Sequence, residues 1–421
     1  MKRVHVIGAG LAGLSASVAL VEAGYVVSLS EAAPQAGGRC RSYHDPQLGL
    51  VIDNGNHLVM SGNHAVQHYL ATIGASDRLA GPDEARFAFV DLDKEELWTL
   101  RPNGGIVPWW ILSKDRRVPG TGLTDYVALF GLMRAGPDAR VDDVIAARGP
   151  LWDRLLEPFL IAALNTPAAE GSARLAGAVV RETLAKGGKA YRPRIASPTL
   201  AAAFVEPALA WLEQRGSPVR LRRRLRMIGR DVDRITSLDF GEGGTEAVAA
   251  DEPVVLAVPP WVASALLPEL TVPTEHHAIV NAHFRIAPPA DAEPMIGVLG
   301  GTAEWIFAFE DRVSVTISAA DALVAEDRAE LAARIWRDVA AVHGLPLDLP
   351  PWQLVIEKRA TFAATPEQDR LRPGVRTAWR NLFLAGDWTQ TGLPATIEGA
   401  IRSGETAAAA VGAMERHDAA N

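Results

Sequence analysis

Hydrophobic positions in this chain keep first a strand period and then a helical one, and the change falls at a glycine-rich interval near its start. Val4, Val6 and Ile7 make a short apolar strand. Beyond the glycines, Leu14, Val18, Leu20 and Val21 recur at helical spacing. Gly24 stands just past the last helical turn, where positive φ is often required. Tyr25 to Ser30 then reads as a second strand that ends on Glu31. Strand, helix and strand in this order make one βαβ unit with a parallel sheet.

The same reading continues along the chain. Leu50 to Met60 predicts a strand, a turn at Asn54-Gly55 and a second apolar strand, with a helix from Ala65 to Ile73. From about Asp77 to Ala201 the character changes. Phe87 to Asp91 and Glu96 to Leu100 alternate like a hairpin, and Pro108 to Leu112 follows. Helices rich in large apolar side chains come next, at Leu123 to Met133, Leu151 to Leu164 and Ala173 to Leu184. A helix from Thr199 to Arg215 leads into strand-like runs at Val219 to Ile228, Asp233 to Phe240 and Ala247 to Val258. The unbroken run Val254 to Val258 predicts a fully buried strand, and Gly241 to Gly244 a hairpin turn. More sheet follows at His277 to Ile286, Pro294 to Leu299, Trp305 to Phe309 and Arg312 to Ser318, with a helix from Asp327 to His343. A last buried strand runs into Gly386-Asp387, and a helix starts at Thr396.

These elements predict an α/β fold: a discontinuous Rossmann-type domain from residues 1–76, 200–275 and 355–421. A mixed sheet-plus-helices substrate domain is inserted as residues 77–199 and 276–354. The length, 421 residues, accommodates both. Hydrophobic content of 48% with 22% charged residues is that of a soluble globular protein. A net charge of −8 argues against nucleic acid as a partner. The single cysteine, Cys40, excludes an internal disulfide framework and fits a reducing cytoplasm. No signal peptide and no membrane-length apolar run is present. The cluster Arg220, Arg222, Arg223, Arg224 and Arg226 reads as a solvated strand face rather than a lipid site.

Chemistry enters at Gly8-Ala9-Gly10-Leu11-Ala12-Gly13, which joins the first strand to the first helix. In that context the glycines form a dinucleotide fingerprint. Gly8 permits the tight turn, Gly10 lets backbone approach a pyrophosphate, and Gly13 lets helix and strand pack closely. The helix start offers N–H groups to phosphate, and Glu31 sits where a carboxylate accepts from a ribose hydroxyl. Gly37-Gly38-Arg39 follows and resembles the second flavin motif of the amine oxidase and carotenoid desaturase superfamily, whose fold is glutathione-reductase-like. Gly386-Asp387 and the helix beyond it stand as a third signature in the expected order. The cofactor implied is FAD. The residues assigned to it are Gly8, Gly10, Leu11, Ala12, Gly13, Glu31, Gly38, Arg39, Leu225, Gly386, Asp387, Ala395, Thr396 and Ile397. No cysteine lies near Pro394 to Thr396, so the flavin is expected to be non-covalent. No metal ligand set is assigned.

Longer stretches narrow the resemblance. Asp53 to His57, Leu151 to Pro158, Ala163 to Thr166 and Gly386 to Ala400 look like the hydroxysqualene dehydroxylases, also called squalene-associated FAD-dependent desaturases. One departure is Asn56, where glutamine is expected. The resemblance implies reductive conversion of hydroxysqualene to squalene in hopanoid and squalene synthesis. The substrate hydroxyl is allylic, so its loss as water leaves a delocalised cation that takes hydride from reduced flavin. The protein must then supply a proton donor, an apolar groove and π faces or dipoles near the cation. His57 is the candidate donor, with positioning of its loop as the alternative role. Asp53 is read as tying the turn, and Trp109, Trp110, Trp305 and Trp388 as groove lining or core. An amine oxidase or carotenoid-type desaturase on the same platform stays open, as does a non-enzymatic isoprenoid carrier. So apolar a substrate is held in lipid, which implies peripheral contact with the inner face of the cytoplasmic membrane, and Leu123 to Met133 is the stretch named for it. The reductant is not named by any second nucleotide fingerprint.

Overall fold

The structure is a computed structural model that describes residues 2–146 and 148–418. The first βαβ unit forms as Arg3–Ile7, Leu11–Glu22 and Val26–Ser30. Leu14, Ala16, Val18 and Leu20 are buried, and Gly24 leaves the helix at φ +89°. Three further strands flank this unit, two on one side and one on the other. The order is Val219–Arg220, Val26–Ser30, Arg3–Ile7, Val254–Leu256, Leu382–Leu384, and every neighbouring pair is parallel. Parallel neighbours require long crossovers, so the remainder of the chain is threaded between these strands. Ile7 is in register with both Ser30 and Leu256, and Leu256 with Leu384. Their carboxyl ends therefore share one edge, the edge at which open α/β sheets bind ligands. The final helix, Ile397–Asp418, lies against the first so closely that a Cβ on Gly404 would collide with the backbone of Ala12 and Ala16.

The second body is a seven-stranded sheet. Its order is Trp352–Phe362, His276–Phe284, Val313–Ile317, Trp305–Ala308, Met295–Leu299, Phe87–Asp91, Glu96–Leu100. On one face Val280, Phe284, Val313, Val315 and Ile317 pack against Leu331, Ile335 and Trp336 of the helix Arg328–His343. Strand alternation puts Asn281, His283, Ser314 and Thr316 on the other face. Farther across that face, Phe89, Trp98, Trp305 and Phe307 pack with Leu155, Leu156 and Leu160. Phe89 stacks on Trp98 with centroids 5.4 Å apart and meets Trp305 edge-on at 5.6 Å.

Several elements differ from expectation for identifiable reasons. Leu50–Asp53 pairs with Ser42–Asp45, while Leu58–Met60 pairs with Pro193–Ala196, so Asn54-Gly55 is not a hairpin turn between paired strands. Trp352–Phe362 runs through the expected boundary at residue 355 because it pairs along its length with His276–Phe284. Val219 to Ile228 is two strands, broken where Arg222 takes φ +56°. Its second half joins a separate sheet with Ile235–Asp239 and Thr245–Ala247. Arg220 and Arg223 face Glu246 at 2.7 and 2.8 Å, so this arginine cluster is partly neutralised within the fold. The helices expected at Leu151 and Thr199 each begin with a wide π turn, Trp152–Leu156 and Ala201–Val205. Both turns precede a Glu-Pro pair, Glu157-Pro158 and Glu206-Pro207, and proline cannot supply the N–H that an α turn needs. Among the described residues no helix is long and apolar enough to cross a membrane.

Candidate functional site

The carboxyl edge of the parallel sheet carries the glycine turn, and its glycines are required for two different reasons. Gly8 sits at φ +103°, and a Cβ there would run into the Ala257 carbonyl. A Cβ on Gly13 would overlap the Gly8 carbonyl oxygen. At Gly10 the backbone is ordinary, φ −74°, and an added Cβ would meet nothing within 4 Å. Its missing side chain thus leaves open space directly over a helix N-terminus, where the Leu11 and Ala12 amides have no partner inside the helix. That cradle has the shape and polarity for a dinucleotide pyrophosphate. Glu31 closes it on one side, accepting from the Ala9 amide at 2.7 Å and the Ala33 amide at 2.8 Å. The Arg223 amide donates to the Glu31 carbonyl at 2.7 Å, which draws the segment bearing buried Leu225 alongside.

The second and third signatures meet on this cradle. The Gly37 amide donates to the Ala9 carbonyl at 2.8 Å, and a Cβ on Gly38 would lie 3.2 Å from Gly10 Cα. Arg39, next in sequence, donates to Asp387 at 2.7 Å and to the Ala360 carbonyl. Asp387 is presented by Gly386, whose amide donates to Ser403 Oγ at 2.8 Å and whose Cβ, if present, would strike the Trp388 indole. Buried Arg372 holds the loop beyond, donating to the carbonyls of Asp387 and Thr389 and to Thr391 Oγ1. Arg39, Trp261, His276, Arg359, Asp387 and Trp388 line a small cleft here. The Arg39 guanidinium next to open backbone amides suits a diphosphate, and the Asp387 carboxylate suits hydroxyl groups, so the residues present fit FAD. Thr396 begins the last helix by accepting from the Gly399 amide at 3.0 Å, with Ile397 buried and Ala395 half-buried beside it. Glu398 instead caps the helix His64–Thr72 through the amides of Ala65 and Val66.

His57 lies on the loop between Leu50–Asp53 and Leu58–Met60, and that loop is gripped from the second body. Asn281 Oδ1 accepts from the Asn56 amide at 3.3 Å and from Thr316 Oγ1 at 2.8 Å, and its Nδ2 donates to the Asn54 carbonyl at 3.4 Å. Asn56 Nδ2 in turn donates to Thr316 Oγ1 at 3.1 Å. A Cβ on Gly55 would stand 3.0 Å from the Asn281 side-chain nitrogen, so the loop packs tightly on that side chain. Asp53 anchors the start of the loop, accepting from Ser42 Oγ at 2.5 Å and the Leu200 amide at 2.9 Å. Burial, and then the neighbouring Arg39 charge, push the His57 imidazole down to about 4. At neutral pH it is therefore a neutral ring next to a fixed cation, able to donate a hydrogen bond through one N–H.

Asn281 and Arg372 carry no motif, and sequence reasoning missed both. The stretch Asn165-Thr166 turns out to be a clamp between layers. Asn165 takes φ +47° at a helix end, donates to Thr361 Oγ1 at 2.9 Å and accepts from the Ala319 amide at 2.6 Å. Thr166 Oγ1 accepts from the Ala364 amide at 2.8 Å. Of the four tryptophans singled out, Trp388 lines the cleft and Trp305 joins the aromatic face. Trp110 is buried against Tyr126, and Trp109 is on the surface.

Comparison with known proteins agrees with this geometry. The family described as flavin containing amine oxidoreductase matches residues 11–412. The hydroxysqualene dehydroxylase of Rhodopseudomonas palustris is 54% identical over 97% of both chains. That of Zymomonas mobilis is 51% identical over 97% of this chain and 98% of its own. In fold, the solved cyclohexylamine oxidase of Brevibacterium oxydans superposes with a TM-score of 0.69 at 15% identity, covering 99% of each chain. Motifs built around an open dinucleotide cradle, a family match across most of the length and close full-length relatives have one meaning: the chain belongs to the flavin containing amine oxidoreductase family.

Proposed function

We propose that this protein is an FAD-dependent oxidoreductase that reductively removes the hydroxyl of hydroxysqualene to give squalene. The observation that carries the reading is full-length identity of 51% and 54% to hydroxysqualene dehydroxylases, joined to a complete flavin cradle. Bound reduced FAD supplies the hydride that replaces the hydroxyl. The protein's part is to bind, orient and protonate. Gly10, the first helix and Glu31 would hold the dinucleotide end of FAD, and Arg39 and Asp387 would bind the part of the cofactor that lies beside them. His57 is proposed to hold the departing oxygen by a hydrogen bond and, in its imidazolium form, to pass it a proton as the carbon–oxygen bond breaks, so that the hydroxyl leaves as water and the ring is left neutral. What supports this is the placement of its loop beside Arg39 and the grip of Asn281 on that loop. Trp261 and Trp388, which line the cleft beside Arg39 and Asp387, offer apolar and π surface for positive charge on carbon.

The test is anaerobic incubation of chemically reduced protein with hydroxysqualene. Squalene should appear together with the absorption of oxidised flavin, in equal amounts. Flavin that stays reduced while hydroxysqualene is recovered intact would defeat the assignment. Reduction of the oxidised protein by an amine or a carotenoid-type polyene would move it to another branch of the family.

A further inference from the structure

Half of the fourteen large hydrophobic side chains exposed among the described residues fall between Ile106 and Phe130. They form a built surface rather than scattered contacts. Trp110 and Tyr126 are buried against each other, ring centroids 5.4 Å apart, and the Tyr126 hydroxyl accepts from the Val118 amide at 3.2 Å. This buried seam joins two segments and turns their neighbours outward. On one side stand Trp109 and Leu112, and on the other Leu123, Val127 and Phe130, spaced as one stripe of a helix. The loop bearing Ile106 and Val107, 71% and 74% exposed, is held in place by buried Asn103. Its side chain donates to the carbonyls of Gly105 and Val107 at 3.1 and 3.0 Å and accepts from the Trp110 amide. A loop pinned by a buried amide so that its two largest apolar residues face outward is not explained by packing within the chain.

Charge selects the partner. Residues 101–134 carry Arg101, Lys114, Arg116, Arg117 and Arg134 against Asp115 and Asp125, in a chain whose net charge is −8. The two acids are engaged locally, Asp115 by Ser113 Oγ at 2.5 Å and Asp125 by the Gly122 amide at 2.8 Å. Arg116 lies over the Trp109 ring at 5.0 Å, a pairing suited to the boundary between headgroups and acyl chains. An exposed apolar patch rimmed by cations matches a bilayer with anionic headgroups. We infer that the face formed by residues 106–112 and 123–130 docks the protein on an anionic phospholipid bilayer. The face belongs to the half of the molecule whose sheet and helices enclose the aromatic surface, so docking places that half against the lipid.

The test uses the FAD-loaded protein and flotation with vesicles of phosphatidylcholine alone or mixed with phosphatidylglycerol. Wild type should float with the mixed vesicles, lose at least tenfold in partitioning on pure phosphatidylcholine, and detach as salt rises. Trp109→Glu with Phe130→Glu should abolish flotation, and Lys114→Glu with Arg116→Glu should remove the preference for the anionic vesicles. Leu347→Glu, at an exposed apolar position outside this face, should float as wild type does. Flavin content and thermal unfolding, measured for every variant, show that the fold is intact. Equal flotation of wild type and Trp109→Glu/Phe130→Glu would overturn the inference. So would a wild type that ignores both vesicles but sediments as a dimer that the double variant breaks, because the face would then belong to a second copy. Flotation needs no turnover, so this result and the test of the reaction fail independently.

Discussion

Arg39 and Asp387 stand 348 positions apart in the chain and share a hydrogen-bonded ion pair of 2.7 Å. The pair closes the second flavin signature onto the third, and through the Ala360 carbonyl it also touches the edge strand of the seven-stranded sheet. Arg39→Ala removes this junction together with the cation proposed to face the diphosphate. The variant should fold, purify pale and bind added FAD at least tenfold more weakly. Asp387→Asn keeps the geometry and should lose less. The ratio of flavin to protein absorbance after gel filtration reports both, and undiminished flavin in Arg39→Ala would remove it from the cofactor site.

Gly10 and Gly13 should respond differently to the same substitution. A valine at Gly10 enters open space, so Gly10→Val should give a stable, soluble apoprotein that takes up no FAD. A valine at Gly13 meets the Gly8 carbonyl and the Ala257 side chain, so Gly13→Val should fail to fold. Circular dichroism and flavin titration of the two variants separate these outcomes. Full flavin content in Gly10→Val would displace the pyrophosphate from the cradle.

His57→Ala should keep FAD and fold while slowing dehydroxylation by roughly two to four orders of magnitude, the usual scale for general acid catalysis. Because burial pushes the ring down to about 4, the imidazolium that donates the proton grows scarcer through the neutral range, so the wild-type rate should rise as pH falls and level off near 4. The loss should shrink for an allylic ester of the same skeleton, whose leaving group needs no proton. Single-turnover reoxidation of reduced flavin with both substrates makes the measurement. Equal losses would assign His57 to positioning.

Glu304 gives a pH dependence of known sign. Burial lifts its carboxyl from 4.5 to about 7, although the Ser318 amide donates to it at 2.7 Å. Between those values the folded protein holds a proton that the unfolded chain releases, so this group lowers stability as pH rises and does so fully above pH 7. Glu304→Gln keeps the acceptor and removes the charge. It should stabilise by about 3 kcal/mol above neutrality and by nothing below the unfolded pKa. Urea midpoints at both ends of the range test this, and a gain independent of pH would point to packing instead.

What sequence conveyed here was backbone constraint. Gly8, Gly13, Gly37 and Gly386 are legible because each occupies a place that no Cβ tolerates, and such places come at fixed short spacings. Glu31 is legible because the strand before it counts out its position. Asn281 was not legible. It sits in an ordinary alternating strand, and its role depends on a loop 225 residues earlier that happens to fall opposite. Arg372 was hidden for the same reason, since a buried arginine is recognisable only by the carbonyls that receive it. Leu58–Met60 shows the limit for strands, because its apolar pattern says that it pairs and not that Pro193–Ala196 is the partner.

The close seat of Gly404 against Ala12 and Ala16 has a consequence in time. The ribosome makes the glycine turn first, yet its sheet neighbour at Val254–Leu256, the outer strand at Leu382–Leu384 and the helix that covers it come much later. At roughly 5–20 residues per second, the turn waits on the order of tens of seconds for the elements that shape it. During that interval the nascent chain carries its most recognisable motif without a site. A chain that ends before the last helix therefore carries the glycine turn and the second signature but lacks the helix that covers the first one.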